Sequence, residues 1–206
     1  MKKLSILLAG ISSILLLTGC NKTKANTNTN TNTNTNTISE TEFAEKLVNT
    51  EDPNYSSATI HATENITGTG DFEQNRNEER TEVYTHYPDT GAWIVEHGDS
   101  LLRKYIYDFD SLERFKEWIE NESLTYSYKY YPDLSVEVKE TGTYTDEMMG
   151  VHKTVTINSE MKIKINEYGY LTSLEGTYEQ DIVQVSGENT YRGTKSGKTM
   201  VEISYK

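Results

Sequence analysis

Apolar residues at helical spacing mark two short stretches of the chain. Residues 39–42 read Ser-Glu-Thr-Glu, a capping box, and Phe43 and Leu47 follow four residues apart. This pattern predicts a first helix that ends near residues 52–53. A second helix is predicted to start at Asp110, because Asp110 and Glu113 suit the positive end of a helix dipole. Its apolar face consists of Leu112, Phe115, Trp118 and Ile119.

Most of the remaining chain alternates apolar and polar positions, which is typical of antiparallel strands. The stretch 151–165 keeps one parity and is either one strand or a hairpin that turns at 158–160. In 169–185 the apolar positions change parity after Ile182, which predicts a bulge there. The predicted strands are 55–70, 82–87, 92–96, 101–107, 124–131, 134–139, 151–165, 169–185 and 201–205.

These elements predict an α+β fold. The pattern gives about nine to eleven strands and two helices, without the spacing of βαβ units. Bends inside long strands belong to curved sheets. We therefore expect residues 39–206 to form a single domain, in which a strongly curved antiparallel sheet, a half-barrel, packs on two helices.

The start of the chain has the pattern of a secretory leader. Lys2 and Lys3 precede an apolar stretch at 4–17, whose roughly 21 Å as a helix is short of a ~30 Å hydrocarbon core. The stretch ends in Leu17-Thr18-Gly19-Cys20, which resembles the lipobox of bacterial lipoproteins. The alternative is an ordinary secretory signal followed by a free cysteine.

The lipobox resemblance implies where in the cell the protein is located. Residues 1–19 would be the signal peptide, and Cys20 would receive a diacylglyceryl group on sulfur after cleavage behind Gly19. The expected location is therefore the extracytoplasmic face of the cell membrane, with the membrane as a partner through this lipid anchor. Two or more acyl chains hold a protein at a bilayer stably, whereas one chain binds marginally.

The stretch after the cysteine has the composition of a tether. Six uninterrupted Asn-Thr dipeptides occupy 26–37, and nothing apolar occurs there that burial could use to offset ordering. We predict that 20–38 is the lipidated cysteine followed by a disordered low-complexity linker. As flexible coil, the 18 residues between Cys20 and Ser39 hold the domain roughly 21–25 Å from the anchor. The alternative is a polar β-ladder.

Composition excludes several classes of function. The 206 residues carry a net charge of −12, which speaks against nucleic-acid binding, and one cysteine excludes a disulfide framework and a thiolate zinc cage. The four histidines are scattered, and no nucleophile motif or specific carboxylate pair occurs. We predict no enzyme, no catalytic residue, no cofactor and no metal site.

Tyrosine is the abundant aromatic residue, with 15 copies. Tyr126, Tyr128 and Tyr130 share one strand face, and Tyr84 and Trp93 are expected on a neighbouring hairpin. Tyrosine offers apolar area with a polar tip, so these five residues are the candidate ligand-binding wall. The alternative is cross-strand aromatic packing, which stabilises sheets by ~0.2–1 kcal/mol per pair.

The order of the predicted elements is similar to the LolA/LppX-like carrier fold. The matching features are the leading helix that runs into 55–67, the hairpin at 166–169 and the last strand. The resemblance implies that lipids or acyl chains bind in the mouth of a half-barrel. We therefore expect a membrane-anchored carrier of a hydrophobic or amphipathic ligand, or alternatively a surface interaction module that recognises a protein or glycan and has no cavity.

Overall fold

The structure, a computed structural model, describes residues 37–47 and 53–206. The predicted leader, the lipobox with Cys20, nearly all of the tether and the predicted end of the first helix lie outside the described residues. The helices are α1 (Glu40–Leu47) and α2 (Leu112–Ile119). The strands are β1 (Ser57–Gly68), β2 (Gln74–Tyr87), β3 (Ala92–His97), β4 (Leu124–Tyr130), β5 (Ser135–Met148), β6 (Val151–Ile165), β7 (Leu171–Ser186) and β8 (Asn189–Tyr205).

All eight strands belong to one antiparallel sheet in the order β3-β2-β1-β8-β7-β6-β5-β4. The sheet and its two helices confirm the predicted α+β class. The strand count is eight in the described residues, so the expectation of nine to eleven strands is wrong.

The helices begin where local sequence places their caps. At α1, the Ser39 backbone N–H donates to Glu42 Oε2 at 2.8 Å, and the Glu42 N–H donates to Ser39 Oγ at 3.2 Å, which is the predicted capping box. At α2, Ser111 is the N-cap and accepts from the Arg114 N–H at 3.3 Å. Asp110 accepts from the Arg114 guanidinium at 3.0 Å.

Both helices lie on one face of the sheet, which we call the inner face. Phe43 and Leu47 of α1 and the four apolar positions of α2 are buried in one cluster with alternate residues of the strands. Lys116 of α2 contacts Glu40 of α1 at 2.7 Å. The opposite face, the outer face, carries the exposed members of each strand's alternation.

The predicted strand at 101–107 is wrong. Arg103–Tyr105 form a short 3₁₀ helix, and Leu102 and Tyr105 are buried at a spacing of three rather than two. The cause is the buried carboxylate of Glu82 on β2, which accepts the backbone N–H groups of Leu101 at 3.1 Å and Leu102 at 2.9 Å. These bonds turn the segment back over the inner face.

The long strands differ from expectation in their extent and in one irregularity. β2 begins at Gln74, β5 ends at Met148 and β8 begins at Asn189, so the predicted bounds 82–87, 134–139 and 201–205 are too short. The stretch 151–165 is a single strand, and the register runs without interruption past Ile182 and Val183, so the bulge predicted there is wrong. Val183 and Val185 simply lie on the outer face and stay half-buried. The irregularity lies at the start of β7 instead, where the pairing with β6 skips Thr172.

The sheet has two halves along its strands. The covered half, beneath the helices, contains a straight row of buried residues across neighbouring strands. This row is Tyr130, Val136, Ile163, Leu174, Val201 and Ala62. The far half, strand residues 142–157 and 180–195, extends beyond the helices and has a small cluster of its own. That cluster is Tyr144, Val155 and Ile182, with Phe72 and Leu124 packed against it.

Candidate functional site

The three tyrosines of β4 lie on the inner face, at one edge of the sheet. Neighbouring rings are nearly parallel, with centroids 6.4 Å apart for Tyr126 and Tyr128 and 5.9 Å apart for Tyr128 and Tyr130. Tyr130 is buried and its ring lies 4.9 Å from Phe43 of α1. Tyr126 and Tyr128 are half-buried. The rings therefore line the edge of the core and face the helices.

The hydroxyls of the half-buried pair bond within the protein. Tyr126 donates to Glu140 Oε1 at 2.8 Å and accepts from the Asn121 N–H at 2.8 Å. Tyr128 donates to Glu120 Oε1 at 2.8 Å. Burial raises the pKa of both tyrosines well above the ordinary value, with the nearby carboxylates adding to the shift. Both hydroxyls are therefore protonated donors at neutral pH.

Glu140 is a buried carboxyl group between the two halves of the sheet. Besides Tyr126, it accepts a hydrogen bond from Ser159 Oγ at 2.8 Å. Burial raises the pKa of Glu140, and these two hydroxyl donors offset part of that shift. Since Glu140 and Ser159 are each about 1% exposed, the group is a structural link between β4, β5 and β6 rather than a site open to substrate.

Tyr84 and Trp93 lie at the other edge of the sheet. Five strands separate β2 from β4, so the expectation that these residues neighbour the β4 tyrosines is wrong. The reason is the pairing of β1 with β8, which inserts the C-terminal strands between them. Tyr84 is 0% exposed and donates a short hydrogen bond to Glu82. Trp93 is half-buried and stacks on His86 with centroids 4.5 Å apart.

Aromatic rings occupy the space between sheet and helices. Phe109 contacts Phe115 and Trp118 of α2, with both centroid distances at 5.2 Å, and Tyr107 at 5.0 Å. These rings belong to the same cluster as the inner-face residues of the covered half. The candidate ligand residues Tyr84 and Tyr130 are part of this packed cluster, and Trp93, Tyr126 and Tyr128 border it.

The outer face of the sheet carries shallow polar depressions. The one nearest the far half has a volume of about 320 Å³ and crosses β6, β7 and β8. A second, of about 370 Å³, lies next to it and shares Asn158, Glu179 and Ser196. Hydroxyl, amide and carboxylate groups line both depressions, and apolar atoms contribute a similar exposed area in the first. The outward residues of the first depression are Thr156, Asn158, Glu179, Asp181, Thr194 and Ser196.

A cluster of half-buried aromatic rings lies at one end of the sheet, and sequence reasoning missed it. Tyr55 stacks on Tyr205 with centroids 4.8 Å apart and meets the Tyr170 ring edge-on at 5.3 Å. Tyr168 lies 6.2 Å from Tyr55, and Trp93 lies 6.1 Å from Tyr205. We call these five residues the aromatic end. In the sequence, only Tyr168 and Tyr170 could be placed at one end of the sheet, because they lie on either side of the predicted turn glycine Gly169.

The four histidines are separate. His86 contacts the carbonyl of Tyr55 at 2.8 Å, and His61 contacts Thr81 at 3.0 Å. His152 lies 3.5 Å from Glu147. In the part of the chain that the structure describes, no group of three or more His, Cys, Asp or Glu residues could hold a metal ion.

The described helices do not include a membrane span. Neither is long and apolar enough to cross a bilayer. Cys20, the predicted lipidation site, lies outside the described residues.

Comparison with known proteins brings no match: no family model, no curated protein and no solved structure is similar to this chain.

Proposed function

We propose that this protein is a lipid-anchored extracytoplasmic lipoprotein whose domain is a surface interaction module. The anchor rests on the leader and the lipobox-like Leu17-Thr18-Gly19-Cys20. The observation that supports a module rather than a carrier is the packing between sheet and helices, where the domain's own aromatic rings occupy the place that a ligand would need.

The outer face supplies the recognition surface in this proposal. The first depression presents hydroxyls, the Asn158 amide and two carboxylates, Glu179 and Asp181, from three adjacent strands. Such groups bind a polar partner through hydrogen bonds. The partner is therefore a glycan or a polar protein segment that contacts the outer face of the sheet.

The anchor is tested by substitution of the predicted lipidation site. Cys20→Ser removes the sulfur that would carry the diacylglyceryl group, so the protein should move from the membrane fraction to the soluble fraction. Thr27→Ala, within the predicted tether, is the matched control and should stay with the membrane. If Cys20→Ser remains membrane-bound, the anchor assignment is wrong.

The recognition surface is tested on an array of bacterial envelope glycans and by cross-linking of intact cells. The double variant Asn158→Ala, Glu179→Ala removes two polar groups shared by the depressions. Thr81→Ala on β2, also on the outer face but remote from the depressions, is the control. The proposal expects binding or cross-links that the double variant loses and the control keeps. Equal binding by all three proteins would place recognition elsewhere.

A lipid carrier is the second candidate. It is favoured by the half-buried state of Tyr126 and Tyr128, which border the inner-face core at the β4 edge of the sheet. Trp93 is half-buried at the opposite edge. The carrier also requires a strongly curved sheet. The bulge at the start of β7 supports curvature, as does Gly197, whose missing side chain makes room for the Tyr178 ring.

The carrier is tested by mass spectrometry of the purified protein before and after delipidation, with uptake of a fluorescent fatty acid as the second measurement. A co-purifying lipid together with fatty-acid uptake would favour the carrier over the module. Absence of a co-purifying lipid and of fatty-acid uptake would exclude the carrier. The Tyr126 hydroxyl donates a hydrogen bond to Glu140. A Tyr126→Phe variant keeps the ring and tests whether this hydroxyl contributes to fatty-acid uptake.

A further inference from the structure

The chain enters the folded domain at the aromatic end of the sheet. The Ile38 N–H donates to the carbonyl of Tyr130, the last residue of β4, at 2.9 Å. The hairpin that follows β4 lies beside the β6–β7 turn, since the Ile165 N–H donates to the carbonyl of Leu134 at 3.0 Å. That turn carries Tyr168 and Tyr170. The described chain therefore starts, at Thr37 and Ile38, at the end of the sheet where the aromatic rings gather.

The aromatic end is assembled from four separate segments of the chain. Tyr55 precedes β1, Trp93 lies in β3, Tyr168 and Tyr170 flank the β6–β7 turn, and Tyr205 ends β8. The side chains are tied together: Asn166 Nδ2 donates to the Tyr55 hydroxyl at 3.0 Å, and the Tyr205 hydroxyl donates to the Leu171 carbonyl at 3.0 Å. All five residues are half-buried, so each keeps part of its surface accessible to solvent.

The lengths of the tether and of the strands decide which end of the domain lies near the membrane. The 18 residues between Cys20 and Ser39 give a mean separation of roughly 21–25 Å if they behave as coil. The 17 residues of β8 extend over about 56 Å at ~3.3 Å per residue. A domain anchored at Cys20 thus holds its aromatic end within reach of the bilayer, while the β5–β6 tip at Met149 lies a strand length farther away.

We propose that the aromatic end docks on the lipid–water interface of the membrane that carries the anchor. This inference rests on the proposed lipidation of Cys20. Tyr and Trp favour that interface because an apolar ring enters the acyl boundary while the O–H or N–H stays at the headgroups. Burial raises the pKa of Tyr55, so its hydroxyl is neutral, and since this hydroxyl accepts from Asn166 its own O–H can donate to a headgroup. Tyr205, whose O–H donates to the Leu171 carbonyl, contributes its ring.

Ring contact, rather than charge, holds the domain in this arrangement. The chain carries a net charge of −12, which an anionic bilayer repels. At the docking end, Asp133 is paired with Lys164 at 3.5 Å, which leaves less free charge beside the tether. Docking is therefore expected on zwitterionic lipid and insensitive to salt. It holds the strands upright from the membrane, with the outer face of the sheet open to partners in the envelope.

The two tryptophans provide a matched test. Trp93 belongs to the aromatic end. Trp118, a residue of α2, is buried in the core against Phe109. The full lipidated chain is placed in phosphatidylcholine vesicles whose acyl chains are brominated close to the headgroup. Trp118→Phe leaves Trp93 as the reporter, and loss of its emission is expected. Trp93→Phe leaves Trp118, whose emission should be unchanged. Unquenched Trp93 in vesicle-bound protein overturns the docking.

A second reporter covers the case in which a tryptophan variant fails to fold. With Cys20 lipidated, an introduced cysteine is the single free thiol of the chain. Tyr87→Cys places an environment-sensitive dye at the β2–β3 turn of the aromatic end, at a residue 48% exposed, and Met149→Cys places it at the far tip, at a residue 97% exposed. Docking predicts a blue shift on vesicles at Tyr87 and none at Met149.

The outcomes separate the two proposals. Protein that does not float with vesicles overturns the anchor and the docking together. Protein that floats without quenching of Trp93 and without a shift at Tyr87 keeps the anchor and overturns the docking. Shifts of equal size at Tyr87 and Met149 mean that the domain lies flat on the lipid, which also contradicts docking by the aromatic end.

Discussion

The covered half and the far half of the sheet share the same long strands but are stabilised by different contacts. In the covered half, 25 buried residues from strands, helices and the 3₁₀ segment form one cluster. In the far half, the buried cluster consists of three residues, with Phe72 and Leu124 packed on it. Burial of apolar area is the dominant favourable contribution to folding, so most of the stabilisation lies beneath the helices.

Polar side chains on the inner face separate the two clusters. Each lies on a different strand between the covered row and the far cluster, and all are nearly inaccessible to solvent. Beyond them the far half relies on ladder hydrogen bonds and cross-strand pairs such as Thr143 and Thr156, whose Oγ1 atoms are 2.9 Å apart. We therefore expect the far half to open at a lower free energy than the covered half. The separating residues are Glu64, Glu140, Ser159, Gln180 and Thr199.

The largest effect is expected from one truncation made in each half. Ile163 and Ile182 are both buried, in the large and the small cluster respectively. Truncation of a buried isoleucine to alanine costs about 2–5 kcal/mol, depending on how far the surroundings can collapse. Ile163→Ala should fall at the upper end and Ile182→Ala at the lower end, measured by urea unfolding. Hydrogen exchange should accelerate throughout the sheet for Ile163→Ala but mainly in the far half for Ile182→Ala.

Equal unfolding costs for these two variants would contradict the division of the sheet. They would show that the two clusters form a single cooperative core across the polar residues between them.

A buried carboxylate in the covered half can be compared with an exposed one that bonds to the far half. Glu82 accepts from the Leu101 and Leu102 N–H groups and from the Tyr84 hydroxyl, and Asp71 accepts from the Arg192 N–H at 2.7 Å. Glu82→Gln turns an amide nitrogen toward a donor, which should cost about 1–3 kcal/mol. Asp71→Asn at the exposed site should stay within about 0.5 kcal/mol. Thermal unfolding measures both; similar losses would contradict the comparison.

Local sequence was enough to predict both helices, the β6–β7 turn and the positions of most strands, but not the full extent of β2, β5 and β8. The capping box at Ser39 and Glu42 forms as expected, and Gly169 takes the positive φ of +84° that the turn requires. The segment 101–107 failed because its structure depends on the Glu82 carboxylate, about 20 residues away in the chain. Its apolar residues alone were compatible with a short strand.

The placement of the candidate site residues could not be predicted, because it depends on pairing between distant strands. Ala58 pairs with Tyr205 across almost the whole domain sequence, and this pairing moves β2 and β3 away from β4. The same pairing brings Tyr55 onto Tyr205 and creates the aromatic end. Alternation along a strand tells on which face of the sheet a tyrosine lies, but not which strand pairs beside it. Ligand binding by Tyr84, Trp93, Tyr126, Tyr128 and Tyr130 stays a prediction.

The boundary between the halves should respond to pH through Glu140. Burial raises the pKa of this carboxyl above its ordinary value of 4.5, so the folded state favours its neutral form. The stability it contributes is complete below the unfolded pKa and is lost as pH rises through the folded pKa. Glu140→Gln should therefore be more stable than the wild type at pH 8, and this difference should disappear below pH 4.5. The partial compensation by Ser159 and Tyr126 makes this effect smaller than those above.

Urea unfolding between pH 4 and 8 gives that profile, with Glu137→Gln on the outer face as the control. Glu137 lies 3.6 Å from Lys129, so its neutralisation removes an exposed ion pair and should not produce a gain at high pH. A Glu140→Gln protein that is less stable than the wild type at pH 8 would mean that its carboxylate is stabilised by more than the two hydroxyls.

The smallest effects are expected on the outer face, where the two halves differ in the kind of cross-strand pair rather than in burial. Lys198 and Glu175 form an exposed ion pair at 2.6 Å, and Thr143 and Thr156 form a hydroxyl pair at 2.9 Å. Lys198→Gln and Thr143→Ala should each cost less than about 1 kcal/mol. Because charges are screened beyond about 3 Å in 1 M salt, the cost of Lys198→Gln should shrink there while that of Thr143→Ala persists. Salt dependence of the Thr143→Ala cost would show that charges, and not hydroxyl pairing, hold the outer face of the far half.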